Sequence, residues 1–299
     1  MDLLKEIKRL KEEKGALIVA HNYQLPEVQD IADFVGDSLE LSRKVSEMEN
    51  KMVVFCGVKF MAETAKVLSP EKKILLPRPD AICPMAEMIS AEELRDFKKR
   101  YPKAKVVAYV NTNADVKAEA DVCCTSANAV KVVKNIEGEE IIFVPDRNLA
   151  LWSARFVNGK KIIPWEGFCY LHRRINSEEV RKAKEIHPDA VVLAHPECDP
   201  SVLDLADAVL STSQMLRYAR ESEAKKFIIC TEMGLLHRLK KENPSKEFLV
   251  PRALMCRNMK LTKLEDVYHS LLYERYEIEL PQEIISRSRR ALERMLELV

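Results

Sequence analysis

Net charge is nearly absent from this chain. Its 299 residues carry 48 Lys and Arg against 47 Asp and Glu, a formal balance of +1. No long basic run interrupts that balance. A broad cationic face is therefore excluded, and with it nucleic-acid binding as a leading function. Long apolar stretches are missing too, none approaching the roughly 18 residues that a membrane span needs. The first ten residues, Met1 to Leu10, follow an amphipathic helix pattern and not that of a secretion signal. The expected compartment is the cytoplasm, with no membrane and no nucleic acid among the partners. Glutamine is scarce while Lys and Glu abound, a balance common in proteins from hot environments. The metal-knuckle pattern Cys-x-x-Cys is absent around Cys83 and Cys256.

What is present is a soluble globular composition, 47% hydrophobic and 32% charged, and a length that allows two domains or three small ones. There are eight cysteines. In a cytoplasmic chain that number speaks against a disulfide framework and for metal or catalytic use of some of them, although intracellular disulfides do occur in organisms from hot environments.

Three of the cysteines are evenly spaced. Cys83 lies 86 residues before Cys169, and Cys256 lies 87 residues after it. Each follows a similar run: Lys72 to Pro77, Lys160 to Pro164, and Lys246 to Pro251. The intervening chain repeats as well. Helix-period stretches over Asp2–Glu13, Ser90–Tyr101 and Asn176–His187 each lead into a short apolar run, Ala16–Ala20, Val106–Val110 and Ala190–Ala194. Ser90 and Asn176, followed by paired glutamates, are helix-start signals. Those runs end in His21-Asn22-Tyr23, Tyr109-Val110-Asn111 and His195-Pro196-Glu197. Seventeen residues after His21, Tyr109 and His195 stand Ser38, Ser126 and Thr212, each preceded by an Ala-Asp pair. Further strand-like runs cover Met52–Cys56, Ile141–Val144 and Phe227–Cys230.

Alternating helices and continuous apolar strands imply parallel sheets covered on both faces. The expected fold class is α/β: three pseudo-threefold-related three-layer αβα units with short parallel sheets around a central active site. The expected units are residues 1–87, 88–174 and 175–260. Helices over Leu264–Leu272 and Pro281–Leu298, within 261–299, are expected to pack back on the first unit or complete its layers.

In open parallel sheets ligands bind beyond the carboxyl ends of the strands. His21, Tyr109, Asn111, His195 and Glu197 are the expected lining. Ser38, Ser126 and Thr212 belong at helix N-termini, where unpaired N–H groups favour anions. Taken singly, each of these residues has a plainer reading: a hydroxyl between strand and helix is usually an N-cap, a histidine at a strand end usually a structural group. Cys56, Cys123, Cys124 and Cys230 sit in strand runs and read as small buried hydrophobes, with Cys198 ambiguous. The shared register is what favours a site. Three thiols on loops suit zinc, with His172 available as a fourth ligand. They equally suit an iron–sulfur cluster, which normally takes four cysteines and would here keep one iron open as a Lewis acid. The residues alone leave iron–sulfur, zinc and no metal all open.

Several ordered stretches carry a resemblance: Ala20-His21-Asn22-Tyr23-Gln24, Gly36-Asp37-Ser38, Phe60-Met61-Ala62-Glu63, Cys83-Pro84-Met85-Ala86, Tyr109-Val110-Asn111, Thr125-Ser126-Ala127-Asn128-Ala129, Pro145-Asp146-Arg147-Asn148-Leu149, His195-Pro196-Glu197-Cys198 and Ser211-Thr212. Along essentially its whole length the chain resembles the quinolinate synthase family, iron–sulfur enzymes of de novo NAD biosynthesis. The resemblance implies three pseudo-symmetric units around one [4Fe–4S] cluster held by Cys83, Cys169 and Cys256, with one iron open. It implies condensation of iminoaspartate with dihydroxyacetone phosphate to quinolinate, phosphate and water, and an enzyme supplying the unstable iminoaspartate as a partner. It implies substrate contacts from His21, Ser38, Tyr109, Val110, Asn111, Ser126, His172, His195, Pro196, Glu197 and Thr212. Catalytic roles are expected for Glu197 as general base and for His21, His195, Tyr23 and Tyr109. Phe168, Ser213, Asn113 and Lys59 depart from the family pattern, and Ser213 bears on substrate affinity.

Overall fold

The computed structural model describes residues 2–299. Met1, where the expected N-terminal pattern and first unit begin, lies outside the described residues. The chain repeats helix–strand four times in each of three units. The first runs α1 (Leu3–Glu13), β1 (Ala16–His21), α2 (Pro26–Ile31), β2 (Phe34–Gly36), α3 (Ser38–Glu47), β3 (Met52–Cys56), α4 (Lys59–Leu68), β4 (Lys73–Leu75). The second runs α5 (Ala91–Arg100), β5 (Lys105–Tyr109), α6 (Ala114–Ala118), β6 (Val122–Cys124), α7 (Ala129–Asn135), β7 (Glu140–Val144), α8 (Arg147–Ala154), β8 (Lys161–Pro164). The third runs α9 (Ser177–Ile186), β9 (Val191–Ala194), α10 (Pro200–Leu203), β10 (Ala208–Val209), α11 (Thr212–Glu221), β11 (Lys226–Cys230), α12 (Leu235–Glu242), β12 (Glu247–Leu249). Helices α13 (Leu264–Tyr273) and α14 (Gln282–Glu297) close the chain.

Each unit builds one four-stranded parallel sheet with the same order: β2-β1-β3-β4, β6-β5-β7-β8 and β10-β9-β11-β12. Helices on both faces bury the central strands, so all six residues of β1 are inside. That is why these strands read as unbroken apolar runs instead of alternating ones.

Two polar devices recur at the repeat period and account for patterns in the sequence. The aspartate of each Ala-Asp pair clamps the first strand of its sheet. Asp33, Asp121 and Asp207 accept from the amides of Ile18, Val106 and Val192 at 2.9, 2.8 and 2.7 Å. Their own amides donate back to the same residues' carbonyls. The lysine opening each Lys run caps a helix end. Lys160 Nζ donates to the carbonyls of Val133, Lys134 and Ile136 behind α7. Lys246 reaches Ala219 and Ser222 at the end of α11, each at 2.5 Å, and Lys72 reaches Val45 and Met48 at the end of α3. These cations satisfy carbonyls left orphaned by the last turn and oppose the negative helix end.

Asp2, Ser90 and Asn176 cap α1, α5 and α9. The short strands β2, β6 and β10 and the four- to six-residue helices α2, α6 and α10 were not resolved by periodicity. The expectation for the C-terminal helices needs correction. α13 packs on α1, within the first unit, but α14 packs mainly on α6 and β6 of the second. Ala291, Leu292 and Met295 join that unit's core, and Ser288 Oγ donates to Ala114 O at 2.6 Å.

Candidate active site and metal centre

In the strand order 2-1-3-4 the crevice opens between the first and third strands, where the chain departs in opposite directions. His21 and Tyr109 end β1 and β5, and His195 follows β9 directly. One cavity, enclosing about 770 Å³ of atom-free space with its mouth, gathers residues from all three units. Every residue anticipated for the site lines it except Pro196, which is buried between His195 and Glu197.

Glu197 is the hub. It is buried, and Tyr109 Oη donates to its Oε1 at 2.8 Å and Asn111 Nδ2 at 3.2 Å. His172 Nδ1 stands 2.8 Å from Oε2, out of line for a full hydrogen bond, and His195 Nδ1 stands 3.8 Å away. The two imidazoles stack at 4.7 Å. Behind them His172 Nε2 meets Thr231 Oγ1 at 2.8 Å, and Tyr23 Oη meets the same oxygen at 2.6 Å. Burial alone would raise the Glu197 pKa, but the facing imidazoles and the Tyr109 hydroxyl more than offset it, so the carboxyl is held low and ionised. Burial, then the Glu197 charge, push the Tyr109 and Tyr23 phenols well up, so both stay protonated.

His21 and His195 share one local design. The Nδ1 of each accepts from the amide two residues on, Tyr23 N at 3.1 Å and Glu197 N at 3.4 Å. The neutral ring therefore carries its proton on Nε2. Burial lowers both pKa values to about 3.

The hydroxyls are placed as expected but are not the caps. Asp37 and Ser211 cap α3 and α11, so Ser38 and Thr212 sit one position inside and face the cavity. Ser126 lies in the turn before α7 and lines the cavity. Asn22, from the first unit, donates to Thr212 Oγ1 at 3.1 Å.

Cys83, Cys169 and Cys256 occupy matching loops, each followed by a single 3₁₀ turn: Ala86–Met88, His172–Arg174 and Asn258–Lys260. Two amides address each sulfur: Met85 and Ala86 for Cys83, Leu171 and His172 for Cys169, Asn258 and Met259 for Cys256. Burial raises Cys83 to about 12 and holds Cys169 well above and Cys256 above the usual thiol range. The other five cysteines are buried away from the cavity, and all eight are free. Cys198, ambiguous in sequence, belongs to the third unit's core and donates to Cys230 O at 3.4 Å.

Other residues of the site were not anticipated. Glu232 lines the cavity, accepts from the Cys256 amide at 3.0 Å, and pairs with Lys260 Nζ at 3.1 Å. Asp146 occupies the matching place in the second unit, its carboxyl facing the Cys169 amide. The signal was available: these acids stand 24 and 23 residues before their cysteines. Asn148 holds the Glu197 carbonyl at 3.1 Å. Of the residues that depart from the family pattern, Ser213 touches Asp37 at 3.0 Å and Glu40 at 2.8 Å, linking α11 to α3. Phe168 lies under the Arg173 guanidinium, Asn113 donates to Glu87, and Lys59 faces Glu63, all outside the cavity.

Comparison with known proteins agrees with this geometry. Residues 5–297 match the family described as quinolinate synthetase A protein. The chain is 53% identical over 298 residues to the quinolinate synthase of Alkaliphilus metalliredigens, covering 99% of this chain and 98% of that protein. It is 55% identical to the quinolinate synthase of Methanoregula boonei, with the same coverage. It is 52% identical to that of Aquifex aeolicus, covering 99% of this chain and 94% of that one. Among the described residues no helix is long and apolar enough to cross a membrane.

Proposed function

The chain belongs to the quinolinate synthetase A family, and from that premise we propose that it condenses iminoaspartate with dihydroxyacetone phosphate to quinolinate, phosphate and water in NAD biosynthesis. Cys83, Cys169 and Cys256 hold a [4Fe–4S] cluster in this reading. One observation carries it: three thiols at one register, each addressed by two backbone amides, line the cavity that Glu197 organises. Hydrogen bonds to cysteine sulfur are among the features that tune iron–sulfur centres. Bound there, the cluster supplies a Lewis acid through its open iron.

The remaining chemistry falls to side chains. The condensation has no net oxidation, so it needs proton transfers and loss of phosphate and water. Glu197 is the base for these transfers. Anionic substrate beside it raises its pKa towards that of a working base. Tyr109, protonated and 2.8 Å from Glu197, donates to a substrate oxygen or returns a proton. His21 and His195 present Nε2–H to substrate carboxylates as neutral donors. Burial holds both rings neutral. Ser38, Ser126 and Thr212, with Asn111, hold phosphate and carboxylate at the helix starts. Tyr23, through Thr231, orients His172.

A second reading has an observation of its own. Cys169, His172 and Glu197 offer ligand atoms within 4.8 Å of one another, enough for a single zinc ion. It leaves Cys83 and Cys256 without a purpose and spends two groups already engaged with Thr231, Tyr109 and Asn111. Anaerobic purification with an absorbance spectrum and an iron and sulfide count separates the two. A brown protein that loses its colour in Cys169→Ala and keeps it in Cys123→Ala, and that forms quinolinate from the two substrates, supports the cluster. A colourless, zinc-bearing protein refutes it.

A further inference from the structure

The three cysteine loops are alike in backbone but not in their neighbours. The residue after Cys169 is Tyr170, whose side chain crosses to the third unit. Its hydroxyl donates to Cys256 Sγ at 3.6 Å and accepts from the Arg257 amide at 3.2 Å. The matching positions after Cys83 and Cys256 are Pro84 and Arg257, and neither makes such a contact among the hydrogen bonds of the described residues. Residues 251–255 before Cys256 form no regular element, and Met255 is 60% exposed. Glu232 grips the Cys256 amide from within, and Tyr170 grips the sulfur and the next amide from the neighbouring unit.

We propose that Tyr170 is a positioning residue for the Cys256 corner of the metal centre, setting that sulfur's donor strength and fastening its loop. The proposal rests on the iron–sulfur reading above. A hydroxyl donating to a thiolate withdraws electron density that the sulfur would otherwise give to iron, which favours the reduced state of the cluster. Anchoring the Arg257 amide slows departure of the ligand, as partners of metal ligands commonly do.

Tyr170→Phe keeps the ring and removes only the hydroxyl. In anaerobically purified holoenzyme, the cluster's reduction potential should move to more negative values, and bleaching by an iron chelator should accelerate about tenfold. In the apo chain, hydrogen exchange at the Arg257 amide should quicken while that at Arg173, whose amide is held by the Cys169 carbonyl at 3.0 Å, stays unchanged. Unaltered potential and bleaching in a variant with wild-type iron and sulfide would overturn the proposal. So would unaltered exchange at Arg257. A wild-type protein without iron and sulfide would instead sink the underlying cluster reading, and the exchange measurement would then decide the clamp by itself.

Discussion

Glu197→Gln removes one charge and almost no volume from the centre of the site. The carboxylate accepts the Tyr109 hydroxyl and the Asn111 amide on one oxygen and faces His172 Nδ1 at 2.8 Å with the other. A glutamine can keep its oxygen toward Tyr109 and Asn111, but its NH₂ then confronts His172. If Nδ1 carries the proton, two donors meet, and the ring must switch tautomer. That reverses the direction of the run through Thr231 to Tyr23. Hydrogen bonds to a charged group are worth about 1.5–3 kcal/mol each. Making two of them neutral costs transition-state stabilisation of about 3 kcal/mol, or roughly a hundredfold in rate at about 1.4 kcal/mol per tenfold. Loss of the base adds about 10²–10⁴-fold. Turnover should therefore fall at least about ten-thousandfold, while iron and sulfide content stay at the wild-type level because no cysteine is touched. Steady-state assays of quinolinate formation beside a metal count provide the test. Activity within threefold of wild type would refute the base assignment, and loss of iron with unchanged tertiary structure would mean that Glu197 serves the metal instead.

Two further outcomes follow from groups around the cavity and beneath it. His21 and His195 hold pKa values of about 3 when folded against roughly 6.5 unfolded. The unfolded chain therefore binds more protons as pH falls below 6.5, and the empty protein should lose about 1.4 kcal/mol per pH unit for each ring until about pH 3. That is about 4 kcal/mol between pH 7 and 5, and denaturant unfolding of His195→Gln should show about half the slope. The helix-capping lysines give a threefold internal control: Lys72→Met, Lys160→Met and Lys246→Met each strip a cation from two or three helix-end carbonyls and should each cost about 2 kcal/mol, with thermal unfolding of the apo chain the measure and no shift at any of the three the contrary result.

The parts legible in the sequence were those that the repeat printed three times. His21, Tyr109 and His195 could be aligned by their 17-residue distance to a hydroxyl, and the structure brings all six into one cavity. The short helices α2, α6 and α10 escaped because four to six residues carry less than two turns of periodicity. The docking of α14 escaped for a different reason. Its apolar stripe of Ile285, Ala291, Leu292 and Met295 says that one face is covered but not by which unit. Pro196, between His195 and Glu197, is buried but is not among the residues that line the cavity. Glu232 and Asp146 were missed because an acid in a loop ordinarily reads as solvated. Only the approach of a cysteine loop from 23 or 24 residues further on turns each into an anchor.

Those anchors also show where the symmetry stops. The strand clamps of Asp33, Asp121 and Asp207, the lysine caps and the amide-lined cysteine turns occur in all three units. Each supports the frame or the proposed metal centre, which could use equivalent ligands from three sides. Histidine ends or directly follows the first strand in two units, but Tyr109 takes that place in the second. The acid behind the cysteine is present in two units, while the first has Gly57 and Val58 there. Glu197 and Tyr170 occur once. In the proposed condensation two unlike substrates must be told apart and joined in one orientation, and a threefold-symmetric lining could not do that. If this is right, a frame residue such as Asp207 and a symmetry-breaking residue such as Asn111 should fail differently. Asp207→Asn should lower the melting temperature with catalytic constants unchanged in the folded fraction. Asn111→Ala removes a 3.2 Å donor from Glu197 and should leave melting nearly unmoved while lowering kcat/KM about tenfold or more. Equal effects on stability and rate in both variants would contradict the division between frame and chemistry.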